Sequence, residues 1–267
     1  MTAIPKAVVD GAVVARRNVI KIKRVPDVLV FSTISPIMFI LLFGYVFGSA
    51  IHPEGISYRE YLMPGIFVQT VVFGATFTGA GMADDIQKGI IDRFRSLPMS
   101  RSAVLVGRTA SDVLTNVVTI VVMSLTGLLV GWRIHTSAFE ALGGYLVMLL
   151  FAYAISWVMA VIGLIVPTPE VVNNAAFIVI FPVTFVANTF VPTDNFPPVL
   201  KAFSNWNPVS SVTQAAREAF GNTSDKLPPP DTWPLNHPVL YSVLWSVGLV
   251  VVFLPLSVRL YKRAASR

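Results

Sequence analysis

Residues 140–170 read EALGGYLVMLLFAYAISWVMAVIGLIVPTPE, a stretch in which 29 uncharged residues separate Glu140 from Glu170. A bilayer's hydrocarbon core is about 30 Å thick and a helix rises about 1.5 Å per residue, so roughly 20 apolar residues cross it. This run is long enough on its own. Beyond Glu170 another 23 uncharged residues extend to Asp194. Pro167-Thr168-Pro169-Glu170 interrupts the pair, and because proline fixes φ and removes a backbone donor, a tight helical hairpin is expected there.

Applied outward, the same ruler finds 24 uncharged residues between Asp27 and His52, 23 between Glu60 and Asp84, 20 between Asp112 and Arg133, and 21 between His237 and Arg259. The expected fold is an all-α membrane protein with six transmembrane helices in one domain, residues 1–267, and spans at 28–51, 61–83, 113–132, 141–166, 171–191 and 238–258. Composition agrees. Of 267 residues, 54% are hydrophobic and 13% charged, about half the ~25% charge of a soluble domain, and the mean hydropathy is +0.70. These values exclude a soluble domain, a disordered chain and a coiled coil. The absence of cysteine removes disulfides, thiolate metal sites and cysteine nucleophiles. Basic residues precede the first run and Gly48-Ser49-Ala50 follows it, but a secretory h-region is only ~7–15 residues long, so a retained helix is expected.

The net charge of +6 raises the question of a nucleic-acid partner. Its distribution answers it. With the N-terminus inside, fifteen of the twenty Lys and Arg fall on the cytoplasmic side, and Arg59, Arg133, Lys201, Arg217 and Lys226 fall outside. Such asymmetry orients a membrane protein, here with both termini cytoplasmic in the cell membrane. The basicity serves topology and anionic lipid headgroups rather than nucleic acid.

Three segments are not spans. In residues 5–25, Val8, Ala12, Ala15, Val19 and Ile22 form one helical stripe and Arg17, Lys21 and Arg24 another, the pattern of an interfacial amphipathic helix. In the connection 84–101, Ile86, Ile90, Phe94 and Leu97 recur at helical spacing until Pro98. This predicts a short helix with an apolar stripe, suited to a partner's groove, with flanking charges setting the register. Segment 192–236 is too apolar for an ordinary outer loop. Asn207 can cap a helix with Pro208 in its first turn, and Gly221 can stop it after Phe220. Re-entrant helices that dip back into the outer leaflet are expected here.

Catalytic chemistry is missing. There is no G-x-x-x-x-G-K-[ST]; Gly74 to Gly81 has glycine spacing without the lysine, inside a span. Its small residues suit close helix packing, as do Gly44 with Gly48 and Gly127 with Gly131. Every Asp and Glu is placed at a span edge or in a loop, Asp112 included, so no proton relay is expected. His52, His135 and His237 lack metal-ligand spacing, and no metal site or cofactor of the chain itself is expected.

The stretch Gln87-Lys88-Gly89-Ile90-Ile91-Asp92-Arg93-Phe94-Arg95-Ser96-Leu97-Pro98-Met99-Ser100 and the motif Asn207-Pro208-Val209-Ser210 with Arg217, set in this order of elements, resemble the permease subunits of type-2 ATP-binding-cassette exporters, in detail their daunorubicin-resistance branch. Gln87 departs from that pattern, standing where an acidic residue is common. The resemblance implies a non-enzymatic permease subunit that works with a second copy or paralogue above two separate ATP-binding subunits, which hold the ATP and Mg. It implies an ATPase-coupling segment made of Ile86, Gln87, Lys88, Gly89, Ile90, Asp92, Arg93, Phe94, Arg95, Leu97 and Pro98, and an outer motif of Asn207, Pro208 and Arg217. The cargo would be a hydrophobic or amphiphilic drug-like natural product or lipid. Gln69, Thr76, Thr78 and Asn188 are candidate polar groups on its path, with helix–helix hydrogen bonding as their alternative role. The competing class is a stand-alone secondary transporter or channel.

Overall fold

The computed structural model describes residues 26–90 and 103–264, which are helical with no strand among them. The expected interfacial helix at 5–25 and residues 91–102 of the coupling loop lie outside the described residues.

Helix α1, Pro26–Leu41, continues through a π turn at Leu42–Val46 and a 3₁₀ turn at Phe47–Ser49. The next rod is built from α2, Tyr58–Gly74, and α3, Thr76–Gln87, broken only at Ala75. Ser57 starts it by accepting from the Glu60 amide. Helix α4, Ala103–Val130, ends where Gly131 takes a φ of 102°. Helix α5, Ala138–Ile165, opens with a capping box in which Ser137 and Glu140 satisfy each other's backbone amides. The hairpin expected from Pro167 to Glu170 is present, with Thr168 capping α6, Pro169–Phe185, and Pro169 in its first turn. Then come α7, Pro198–Trp206, α8, Pro208–Phe220, the single turn α9, Trp233–Asn236, and α10, Pro238–Ala264.

Helix α5 is the hub, packed against α10, α3, α8, α4 and α2. Where apolar surroundings remove most of the hydrophobic drive between helices, close packing has to hold them. Gly79 and Gly163 show how α3 approaches α5: a Cβ on Gly163 would collide with the Gly79 carbonyl, and one on Gly79 would lie 2.7 Å from the Met159 carbonyl oxygen. The other expected pairs divide: a Cβ on Gly127 would lie 2.6 Å from Met63 Cε, so close packing holds there, whereas Gly44 has nothing within 4 Å and Gly131 is a helix stop. Between α2, α5, α8 and the α4–α5 loop, Trp132 and Phe220 meet Phe67 and each other edge-on and Tyr145 meets Phe220 tilted, arrangements ring quadrupoles favour.

Among the described residues, four helical rods are long and apolar enough to cross a membrane, Tyr58–Gln87, Gly107–Val130, Ala138–Ile165 and Pro238–Tyr261, and two shorter ones, Ile34–Ser49 and Pro169–Phe185, are apolar. Their outward faces carry large hydrophobics such as Met38, Leu129, Ile178 and Val251. A continuous apolar exterior of this kind suits lipid or another subunit, not water.

Helix α4 begins at Ala103, so Asp112, expected at the opening of a span, lies more than two turns inside the helix.

Candidate functional site

Three groups of the candidate residues are positioned by the fold, and they are separate. The first is the lower end of α3. Ile86 and Gln87 are its last two residues, Lys88 caps it by donating its amide to the Asp84 carbonyl, and Gly89 follows with a φ of 64°. Gly89 adopts this left-handed conformation without the Cβ penalty other residues meet. The expected single helix from Ile86 through Pro98 is therefore broken. Ile86 packs inward on the cluster of Met82, Leu105, Trp157, Ala160 and Tyr261, so it is not an outward anchor on one stripe with Ile90. Gln87 and Lys88 are exposed, and Lys88 pairs with Asp84 at 2.8 Å. Asp92, Arg93, Phe94, Arg95, Leu97 and Pro98 lie outside the described residues.

The second group joins α3 to α4. The buried Thr78 hydroxyl donates to the Asp112 carboxylate. One turn earlier on α4, Arg108 donates to the Phe77 carbonyl at 3.1 Å and pairs with the buried Asp85 at 3.4 Å. Each of the two carboxylates thus has a donor from the facing helix, a hydroxyl for Asp112 and a guanidinium for Asp85. Sequence reading places Asp112 one helical turn after Arg108 at the opening of a span; the partners Thr78 and Asp85, which come from another helix, carry no signal in the sequence. Thr76 does not join this group; its hydroxyl turns back to the Phe73 carbonyl.

The third group lies at the other end of the α2–α3 rod. Helix α6 ends at Phe185 and leaves carbonyls without helical partners. Helix α8 supplies a donor to one of them, that of Val183, and further donors to Asn188 and Thr189 in the segment that follows α6. Its cap residue Asn207 accepts from the Val209 amide with one side-chain atom and donates to the Val183 carbonyl with the other. From its last turn Arg217 donates through Nη2 to the carbonyl of Asn188 at 2.6 Å and of Thr189 at 3.4 Å, and through Nε to the carbonyl of Tyr61 at 3.0 Å. The guanidinium lies 3.7 Å from the centre of the Tyr61 ring, a cation–π contact, and the Tyr61 hydroxyl also donates to Asn188. Gly65 completes the fit, since any Cβ there would strike the Thr189 backbone. One arginine thereby ties α8 to α2 and to the end of α6. Pro208 starts α8 and Gly221, at a φ of 68°, ends it, as the sequence predicts.

A strap closes over this assembly from the α4–α5 loop. Asn222 accepts from Trp132 Nε1 at 2.7 Å and donates to the Arg133 carbonyl at 2.9 Å. It is buried, so the sequon Asn222-Thr223-Ser224 presents no side chain for modification in the folded protein. His135 pairs with Glu60 at 2.7 Å while its amide donates to the Phe220 carbonyl.

The four path candidates are consequently dispersed. Tyr61 and Thr78 are 17 residues apart on one rod, roughly 25 Å at 1.5 Å per residue, so Asn188 and Thr78 occupy opposite ends. Gln69 is buried between them.

Residues 12–220 match the ABC-2 type transporter family. The chain belongs to it. Among relatives, it is similar to the daunorubicin resistance ABC transporter permease protein DrrB1 of Streptomyces coeruleorubidus, 34% identical over 92% of this chain and 83% of that protein. DrrC of Mycobacterium tuberculosis, an ABC transporter permease named for doxorubicin resistance, is 24% identical over 86% of this chain and 80% of its own length. The inner membrane transport permease YadH of Escherichia coli is 23% identical over 74% and 77% respectively. With the apolar rods described above, membership makes this ABC-2 chain a multi-pass membrane protein of the permease type.

Proposed function

We propose that this chain is the membrane half of an ATP-driven exporter that moves a hydrophobic or amphiphilic small molecule, drug-like or lipid, out of the cytoplasm. The observation that carries the reading is the similarity to a daunorubicin resistance permease along 92% of the chain. In this reading α1, the α2–α3 rod, α4, α5, α6 and α10 are the six spans, both termini are cytoplasmic, and α7 and α8 are re-entrant from outside. Two copies, or this chain and a paralogue, form the pathway, with membrane lipid around them.

The chain provides no nucleotide motif; separate ATP-binding subunits hold ATP and Mg and do the hydrolysis. Their closure reaches the membrane through residues 84–101, with Ile90 and Phe94 as anchors and Arg93 and Arg95 setting register. The break at Gly89 supports this arrangement, because it ends a rod long enough to cross a membrane and so sets the segment that follows apart from it. A displacement there is transmitted along α3 to its glycine contact with α5, and along α2 to Arg217. ATP then favours one of two packed states by binding it better. Gln69, Thr76, Thr78 and Asn188 are polar groups available along the rod.

Phe94→Ala and Arg93→Glu test the coupling. Both variants are expected to insert normally while losing co-purification of the ATP-binding subunit and losing export. Unchanged co-purification and export would remove the segment from the mechanism.

A further inference from the structure

Resting on the coupling role given above to residues 84–101, we propose that Arg108 is a positioning residue: it clasps α4 to α3, so that movement of that connection enters both helices as one body. The connection leaves from α3, which holds Asp85, and the chain re-enters helix at Ala103, the start of α4. The α2–α3 rod and α4 meet along a seam with a regular register. A Cβ on Gly74 would lie 2.7 Å from Asn116 Oδ1, Thr78 donates to Asp112, and a Cβ on Gly81 would strike the Arg108 guanidinium. Arg108, Asp112 and Asn116 recur every four residues and so share one face of α4. Their counterparts run the opposite way along the facing rod.

Arg108 grips more than one turn of α3. Its Nη2 donates to the Phe77 carbonyl at 3.1 Å and its Nη1 pairs with Asp85 at 3.4 Å. Helix carbonyls point toward the C-terminus and side chains lean toward the N-terminus, so these two acceptors converge from either side on the surface over Gly81. Glycine leaves that slot open, and the guanidinium fills it. The Arg108 and Asp85 side chains are 18% and 7% exposed, so salt screens their attraction little. Lysine has no fork for two acceptors. Below the slot Leu105 shares a buried cluster with Met82, and Ile86 packs against it. Apolar contact therefore keeps the helices side by side, and the guanidinium fixes how they slide. Helix α4 also packs on α1, α2 and α5, so a clasped seam carries a displacement to elements that α3 alone does not reach.

The test holds the full chain with its ATP-binding partner in lipid nanodiscs and reads distances between spin labels by double electron–electron resonance, without nucleotide and then with ATP and vanadate. The chain has no cysteine, so Phe77→Cys, Leu125→Cys and Val251→Cys, at exposed positions of α3, α4 and α10, carry the labels in pairs. Arg108 uses only the backbone carbonyl of Phe77, which the substitution keeps. With Arg108 and Gly81 in place, nucleotide is expected to leave the 77–125 distance unchanged and to shift the 125–251 distance by roughly 2 Å or more, the scale of helix shifts between packed states. Arg108→Gln is expected to make the 77–125 distance nucleotide-dependent and to reduce the 125–251 shift. Gly81→Ala keeps every charge but crowds the guanidinium out of its slot, and is expected to do the same; Arg108→Lys is expected to fall between. A 77–125 distance that changes with nucleotide while Arg108 and Gly81 are in place, or one that stays fixed in both Arg108→Gln and Gly81→Ala, overturns the clasp alone. No nucleotide-dependent change in either pair with both residues in place overturns the coupling reading and the clasp with it.

Discussion

Arg217 makes three hydrogen bonds and a ring contact from one buried side chain, to residues 29 and 156 positions away. Lysine keeps the charge but cannot fork across carbonyls of two elements. Bonds to charged groups contribute about 1.5–3 kcal/mol each, so Arg217→Lys is expected to lower stability by about 2 kcal/mol, read as a lower melting temperature in detergent; an unchanged value would mean that the tie is not structural. Gly65 and Gly44 give a matched pair. Gly65→Ala forces a methyl against the Thr189 backbone and is expected to cost about 1–3 kcal/mol, whereas Gly44→Ala meets nothing within 4 Å and is expected to leave the melting temperature unchanged. Arg217 could be singled out in the sequence as a motif residue, but its partners could not, because they are backbone carbonyls that only the fold brings near. The partner of Asp112 was illegible for a different reason: a count of uncharged residues cannot see that the fold sets the Thr78 hydroxyl against its carboxylate.

Elements whose ends are written in local chemistry were legible. Asn207, Pro208 and Gly221 set the bounds of α8, and Pro167 to Glu170 set the α5–α6 hairpin. The connection after α3 was not, because spacings of four among Ile86, Ile90 and Phe94 describe a continuous helix only if Gly89 is helical, and its φ is 64°. Alanine in that conformation is strained by about 1 kcal/mol and favours extending α3 past residue 89. Gly89→Ala is therefore expected to insert normally but to reduce ATP-dependent export severalfold, by turning the segment after residue 89 away from its partner. Export equal to that of the unaltered protein would show that the break plays no part in coupling.

For the whole molecule, apolar run lengths and the skew of Lys and Arg were enough to read a helical multi-pass protein. The arrangement around α5 was not legible, since it rests on backbone contact between Gly79 and Gly163, residues without side chains to pattern. Orientation is testable because the chain has no cysteine. A cysteine introduced at Thr168 is expected to resist an impermeant thiol reagent applied outside intact cells, and one at Thr223 to react; the reverse pattern would invert the topology. The central claim is that this permease moves cargo only when separate ATP-binding subunits act on it. The most direct measurement compares export in liposomes holding the chain alone with export in liposomes holding it together with its ATP-binding partner. The expected result is cargo movement in the second preparation only, and only with ATP; movement by the chain alone without nucleotide would contradict the account.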